Sequence, residues 1–140
     1  MDKKRILVPV DGSPYSMRAA EYALKIAALM DAEILLLHCH KAFPSMLREP
    51  YFQQAIDKII EKSNQLLLPY RQLLGKSQLA FEIRTLEGPA KKTIAQVAQK
   101  EAFEMVIMGT RGLTDLAGVV LGSVTHRVLH SVSCPVLVVK

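Results

Sequence analysis

Apolar residues along this chain follow two rhythms: short unbroken runs, and longer stretches in which they recur every three or four positions. Residues 4–10, with Ile6, Leu7, Val8 and Val10, form the first short run, and residues 33–39 (Glu-Ile-Leu-Leu-Leu-His-Cys) the second. Such runs predict strands covered on both faces. Residues 79–85 alternate instead, which predicts an edge strand with one wetter face. Met105-Val-Ile-Met108 and residues 135–139 complete a set of five strands.

Helical spacing fills the intervals. Met17, Ala20, Leu24 and Ala27 keep it to about Leu29, where Asp31-Ala32 breaks it. Ser13 stands where a helix cap belongs, and Pro14 suits the first helical position because its missing N–H would be unpaired there anyway. From Gln53 a long helix carries Ile56, Ile59, Ile60, Leu66, Leu67, Tyr70 and Leu74, with Pro69 expected to bend or break it and Gly75 to end it. Gly88-Pro89 opens a third helix, striped by Ala90, Ile94, Val97, Ala98 and Ala102, and Val124, Val128 and Val132 mark a fourth. Only the stretch between His40 and Phe52, with Pro44 and Pro50, lacks a period. It reads equally as a lid beside a site or as a tolerated insertion.

Strands alternating with helices predict an α/β fold, a three-layer sandwich in which a five-stranded parallel sheet carries helices on both faces. With 140 residues and no internal repeat or linker, residues 1–140 read as a single domain.

Composition adds mostly exclusions. Half the residues are apolar and 22% are charged, as in an ordinary globular protein. No apolar run approaches the ~20 residues that cross a bilayer, and the first apolar run is too short for a signal-peptide core, so a cytoplasmic location without membrane contact is expected. The net charge of +5 comes from scattered basic residues interleaved with acids. Aromatics are few and dispersed, so no nucleic-acid partner is expected. Cys39 and Cys134 form no Cys-x-x-Cys pair and read as reduced, partly buried thiols.

The candidate chemistry lies after the fourth strand. Gly109-Thr-Arg-Gly112, nine further residues, then Gly122-Ser123 connect that strand to the last helix. Glycines permit positive φ and remove the Cβ that would hold an anion away, while a helix start offers free amides to a phosphate. Ser123 can cap the helix or donate to a phosphate oxygen. Arg111 can reach a phosphate or remain solvated. Asp11, directly after the first strand, reads from position alone either as a ligand group for a ribose or metal ion or as a turn-former bonding the backbone of residues 13 or 14. His126 and His130, four apart, lack a third metal partner and read as exposed, and His38 and His40 project opposite Cys39. No Walker-type loop, Gly-x-Gly-x-x-Gly or Gly-x-Ser-x-Gly elbow is present.

The Gly-x2-Gly-x9-Gly-Ser pattern, together with Ile6-Leu-Val-Pro-Val-Asp-Gly-Ser13 and Cys134-Pro-Val-Leu-Val-Val139, resembles the ATP-binding branch of the universal stress protein family, over the whole chain. The resemblance implies strand order 3-2-1-4-5 and a nucleotide beyond the C-terminal ends of strands one and four. It implies Pro9, Val10 and Cys39 near adenine and ribose, with Met108 and Gly109 as the opposite wall. Asp11 would touch the nucleotide, and Gly112, Gly122, Ser123, Val124 and Thr125 would hold phosphates, with Mg2+ as companion ion. One departure is Glu104, where the family commonly has aspartate.

Three functions remain in play. The foremost is an ATP-binding stress-response regulator, whose loop 40–52 or loop 113–121 changes conformation and is read by a protein partner. The others are a slow ATP hydrolase or phosphoryl or adenylyl transferase, and a nucleotide-free dimeric adaptor. A homodimer through Val136–Val139 is expected, because an apolar edge strand leaves backbone groups unpaired.

Overall fold

The computed structural model describes residues 3–112 and 120–140. In chain order these form β1 (Arg5–Val10), α1 (Pro14–Met30), β2 (Glu33–His40), α2 (Tyr51–Gly75), β3 (Phe81–Glu87), α3 (Ala90–Lys100), β4 (Met105–Gly109), α4 (Ser123–Ser131) and β5 (Val136–Val139). The strands make one parallel sheet of order β3-β2-β1-β4-β5. The expected α/β class and strand order are both met.

That order decides where the helices go. From β1 the chain steps outward to β2 and β3, then returns across the sheet to β4 and continues to β5 on the other side. Right-handed crossovers put the helices of opposite steps on opposite faces. Ile6, Val8, Ile34 and Leu36 accordingly pack with α1 and α2, and Leu7, Leu35 and Leu37 with α3 and α4. On α1, Ala19, Ala20, Ala23 and Ala27 are all buried, and their small side chains let the helix lie close on the sheet. Ser63, Leu67, Tyr70 and Leu74 make the buried stripe of α2.

Three expectations need correction. Pro69 does not break α2, which runs unbroken through it for 25 residues. The proline is exposed, so water can bond the carbonyl one turn earlier that lacks its partner. The third strand begins two residues later than the alternation predicts, because Ser77 prolongs the turn after α2. Its amide and Oγ both donate to the Leu74 carbonyl, and Oγ accepts from Leu79 N. The aperiodic stretch is also shorter than expected, since α2 starts at Tyr51 rather than Gln53.

At the end of the sheet remote from the strand C-termini, Arg5 Nη2 and Arg84 Nη1 donate to the two oxygens of Glu101, at 3.0 and 2.5 Å. This ties the end of α3 to β1 and β3. Among the described residues no helix is long and apolar enough to cross a membrane.

Candidate functional site

β1 and β4 are neighbours, and the chain leaves them in opposite directions. Their C-terminal ends therefore bound a crevice that no crossover covers. Two turns form its lips.

The lip after β1 is held by hydrogen bonds. Asp11 Oδ1 accepts from Ser13 N at 2.9 Å, so the carboxylate does form the turn. Gly12 takes φ 84, a left-handed conformation that favours glycine. Ser13 Oγ accepts from Ser16 N at 3.1 Å and caps α1, with Pro14 in the first turn, as the sequence predicts. Beneath the turn, His38 Nδ1 lies 3.1 Å from the Val10 carbonyl oxygen, and burial holds its pKa below the ordinary value. His38 is itself buried, with the α1 and α2 side of the sheet above it.

The lip after β4 is built differently. A Cβ on Gly109 would stand 2.7 Å from Tyr15 Cβ and 2.9 Å from the Tyr15 carbonyl carbon. This glycine is thus demanded by the close approach of α1. Thr125 Oγ1, buried, donates to the Gly109 carbonyl at 2.8 Å and fastens α4 to the strand end. Gly122 N donates to Thr110 O, and Gly122, not Ser123, is the N-cap of α4. Its φ of −69 and ψ of 159 are open to any residue, so conformation does not require a glycine here. No side chain caps α4, which leaves the first-turn amides of Ser123, Val124 and Thr125 without intrahelical acceptors beside the crevice.

Between the lips lies a cleft of about 110 Å3. All eleven sequence-predicted residues line it: Pro9, Val10 and Asp11 from β1, Cys39 from β2, Met108 and Gly109 from β4, and Gly112, Gly122, Ser123, Val124 and Thr125 from the loop and α4. Burial pushes the Cys39 thiol up to about 11, so it is a neutral apolar wall at neutral pH. Ala90 and Ile94 add a wall from α3, and Ser16 one from α1. Those three were legible only as core or helix residues. Ala90 and Ile94 fall on the predicted buried stripe, and Ser16 carries no motif. Arg111 also lines the cleft, its guanidinium carbon 4.8 Å from the centre of the Tyr15 ring rather than free in solvent. Residues 113–119, most of the loop proposed to move, lie outside the described residues. His126 and His130 are exposed, as expected, with ring centres 4.5 Å apart, and no group of three metal-ligating side chains occurs among the described residues.

The donor set suits an adenine nucleotide. Apolar walls fit a flat base, and uncapped amides at the positive end of a helix fit phosphate. Asp11 is the one carboxylate among the described lining residues. One carboxylate completed by phosphates and water is a common arrangement for Mg2+.

Known proteins agree with this architecture. The model of the universal stress protein family matches residues 3–140. Universal stress protein MJ0531 of Methanocaldococcus jannaschii is 32% identical over 139 residues, which span 98% of this chain and 82% of that protein. The solved structure of MJ0577 from the same organism superposes with a TM-score of 0.84 at 28% identity, covering 98% of this chain and 95% of the other. A universal stress protein from Archaeoglobus fulgidus, solved in complex with dAMP, shares the fold at 18% identity, with a TM-score of 0.73 over the full length of both chains. With the family pattern matched from residue 3 to residue 140 and a relative at 32% identity, the chain belongs to the universal stress protein family.

Proposed function

We propose that the protein binds ATP, together with Mg2+, in the cleft between β1 and β4, and acts as a regulatory module of the stress response. One observation carries this reading: apolar walls, the Asp11 carboxylate and an uncapped helix N-terminus converge at the point where the sheet's connections diverge. Val10, Cys39, Met108 and Ile94 would flank the base, and Asp11 would meet a ribose hydroxyl or the metal ion. The amides of Ser123 and Val124 would meet phosphate. The dAMP complex of the related Archaeoglobus fulgidus protein supports an adenine nucleotide. Bound ATP brings a reactive phosphoanhydride, but no lysine or histidine is among the described lining residues to act on it, and Cys39 is held neutral. This favours binding over turnover, with any hydrolysis far below the ~10 s−1 median of dedicated enzymes.

Denaturing the purified protein and analysing the supernatant for adenine nucleotide, then titrating stripped protein with Mg-ATP in a thermal-shift assay, tests the reading. Release of ATP or a concentration-dependent rise in Tm is expected. Neither release nor shift at millimolar Mg-ATP would remove it.

The regulatory unit is proposed to be a homodimer through β5. All four β5 residues are half-buried, and among the described residues the strand pairs only with β4. Pairing of its open edge with a second copy would close on itself about a two-fold axis. Leu137→Lys is expected to shift the protein to monomer in sedimentation at micromolar concentration. A wild type that sediments as monomer over that range would refute the dimer.

A further inference from the structure

The turn bearing Asp11 is not held by its own element alone. Tyr70, on the buried stripe of α2 and 1% exposed, reaches across 54 positions of sequence to place its hydroxyl 2.6 Å from Ser16 Oγ. Ser16 Oγ in turn donates to the Ser13 carbonyl at 3.2 Å and accepts from the Asp11 amide at 3.3 Å. One proton arrangement satisfies every bond: Tyr70 O–H donates to Ser16, Ser16 O–H donates to Ser13, and the Asp11 amide donates to Ser16. Burial pushes the Tyr70 pKa up, which keeps the phenol protonated as that arrangement needs. The same helix closes on the turn with carbon as well, since a Cβ on Gly12 would meet Leu66 Cγ at 2.9 Å. Two hydroxyls thus fix the backbone at both ends of the turn, at Asp11 and at Ser13, and Asp11 lines the cleft.

We propose that Tyr70 is a positioning residue for the nucleotide site, its hydroxyl holding the Asp11–Gly12–Ser13 turn, through Ser16, in the shape that presents Asp11 to the ligand. This rests on the nucleotide reading above. By linkage, a ligand that engages Asp11 also strengthens the hold of α2 on the turn, so α2 senses occupancy of a cleft it does not line.

The test uses the full chain as wild type, Tyr70→Phe, Ser16→Ala, the double variant and Leu74→Val. The last trims α2 at its far end and controls for loss of packing. Amide hydrogen exchange of Asp11 and Ser13 in nucleotide-free protein is measured by NMR, and Mg-ATP affinity by calorimetry. Tyr70→Phe and Ser16→Ala are expected to speed exchange at both amides and to weaken ATP roughly five- to tenfold. Leu74→Val should do neither, and the double variant should be little worse than Ser16→Ala alone, because both remove the same bond. Unchanged exchange in Tyr70→Phe would show that the hydroxyl does not hold the turn. Faster exchange with unchanged affinity would show that the turn's order does not matter to the ligand. Either result overturns the proposal. A wild type that binds no ATP would instead end the nucleotide reading and the positioning role with it, whereas the exchange data would still decide whether Tyr70 holds the turn.

Discussion

The two lips of the cleft solve opposite problems. After β1, the turn's backbone groups are largely occupied by the protein itself: Ser13 N by Asp11, Ser16 N by Ser13, and the Asp11 amide and Ser13 carbonyl by Ser16. After β4, the strand end is pinned by Thr125 and the loop by Gly122, but the helix that follows starts without a capping side chain. One lip is finished and serves as a wall. The other is left one partner short, and an anion is the chemical complement of that shortfall. Glycines are placed to match. Gly12 and Gly109 are required by the fold, through a left-handed φ and the contact with Tyr15, while Gly122 lines the cleft with a φ and ψ open to any residue.

The sharpest way to break this contrast is Gly122→Val. Its φ and ψ suit a β-branched residue, so backbone strain is not the expected cost. The side chain would instead fill space at the open lip and remove the ATP-dependent stabilisation, which amounts to about 2.7 kcal/mol at a hundredfold excess over Kd. A variant whose Tm still rises with ATP as in wild type would detach this lip from the ligand. Gly109→Ala should behave in the reverse sense. Its methyl group meets Tyr15 Cβ at 2.7 Å, so urea denaturation is expected to show a loss of about 1–3 kcal/mol without any ligand present. An alanine variant as stable as wild type would mean that α1 gives way at no cost. The smallest effect concerns the closed lip. His38 is buried beneath Val10 and its pKa lies below the ordinary 6.5, so protonation favours the unfolded chain. The stability it contributes is complete above pH 6.5 and is lost as pH falls towards the lowered folded-state value. Replacing it by glutamine, which can still donate to the Val10 carbonyl, should flatten that part of the profile in chemical denaturation between pH 7 and 5. Identical slopes in the two proteins would exclude His38 as the source.

Element order and the membership of the cleft were legible because they depend on local signals. Burial on both faces reads as an unbroken apolar run, as in Ile34 to Leu37, and a strand followed by a glycine loop and a helix reads as such wherever it occurs. The dual nature of Asp11 was legible as a pair of alternatives, of which the turn-forming one is realised. What escaped depends on contacts made across the fold. Tyr70 looked like one more member of an apolar stripe, since nothing near it in sequence announces that its hydroxyl meets Ser16. Gly109 looked like part of an anion loop, because the approach of Tyr15 follows only from the packing of α1 on β4. Pro69 looked like a helix breaker because the rule for proline assumes that the orphaned carbonyl has nowhere to turn, and on an exposed face it has water.

The length of α2 has a mechanical consequence. At about 1.5 Å per residue its 25 residues reach ~37 Å, whereas the eight residues of β2 before it cover only ~26 Å. Part of the helix must overhang the sheet. The burial pattern shows which part, for the first twelve residues include no buried side chain, and the anchoring stripe begins at Ser63. In those three turns Phe52, Ala55, Ile56 and Ile59 are only half-buried, so opening them costs less than opening the stretch anchored from Ser63 on. Lys58 and Lys62 are both exposed on that overhang, where local opening would give a trypsin-like protease a site within the helix. A cut at either lysine would leave the stripe from Ser63 to Leu74, and with it Tyr70, still clamped to the sheet.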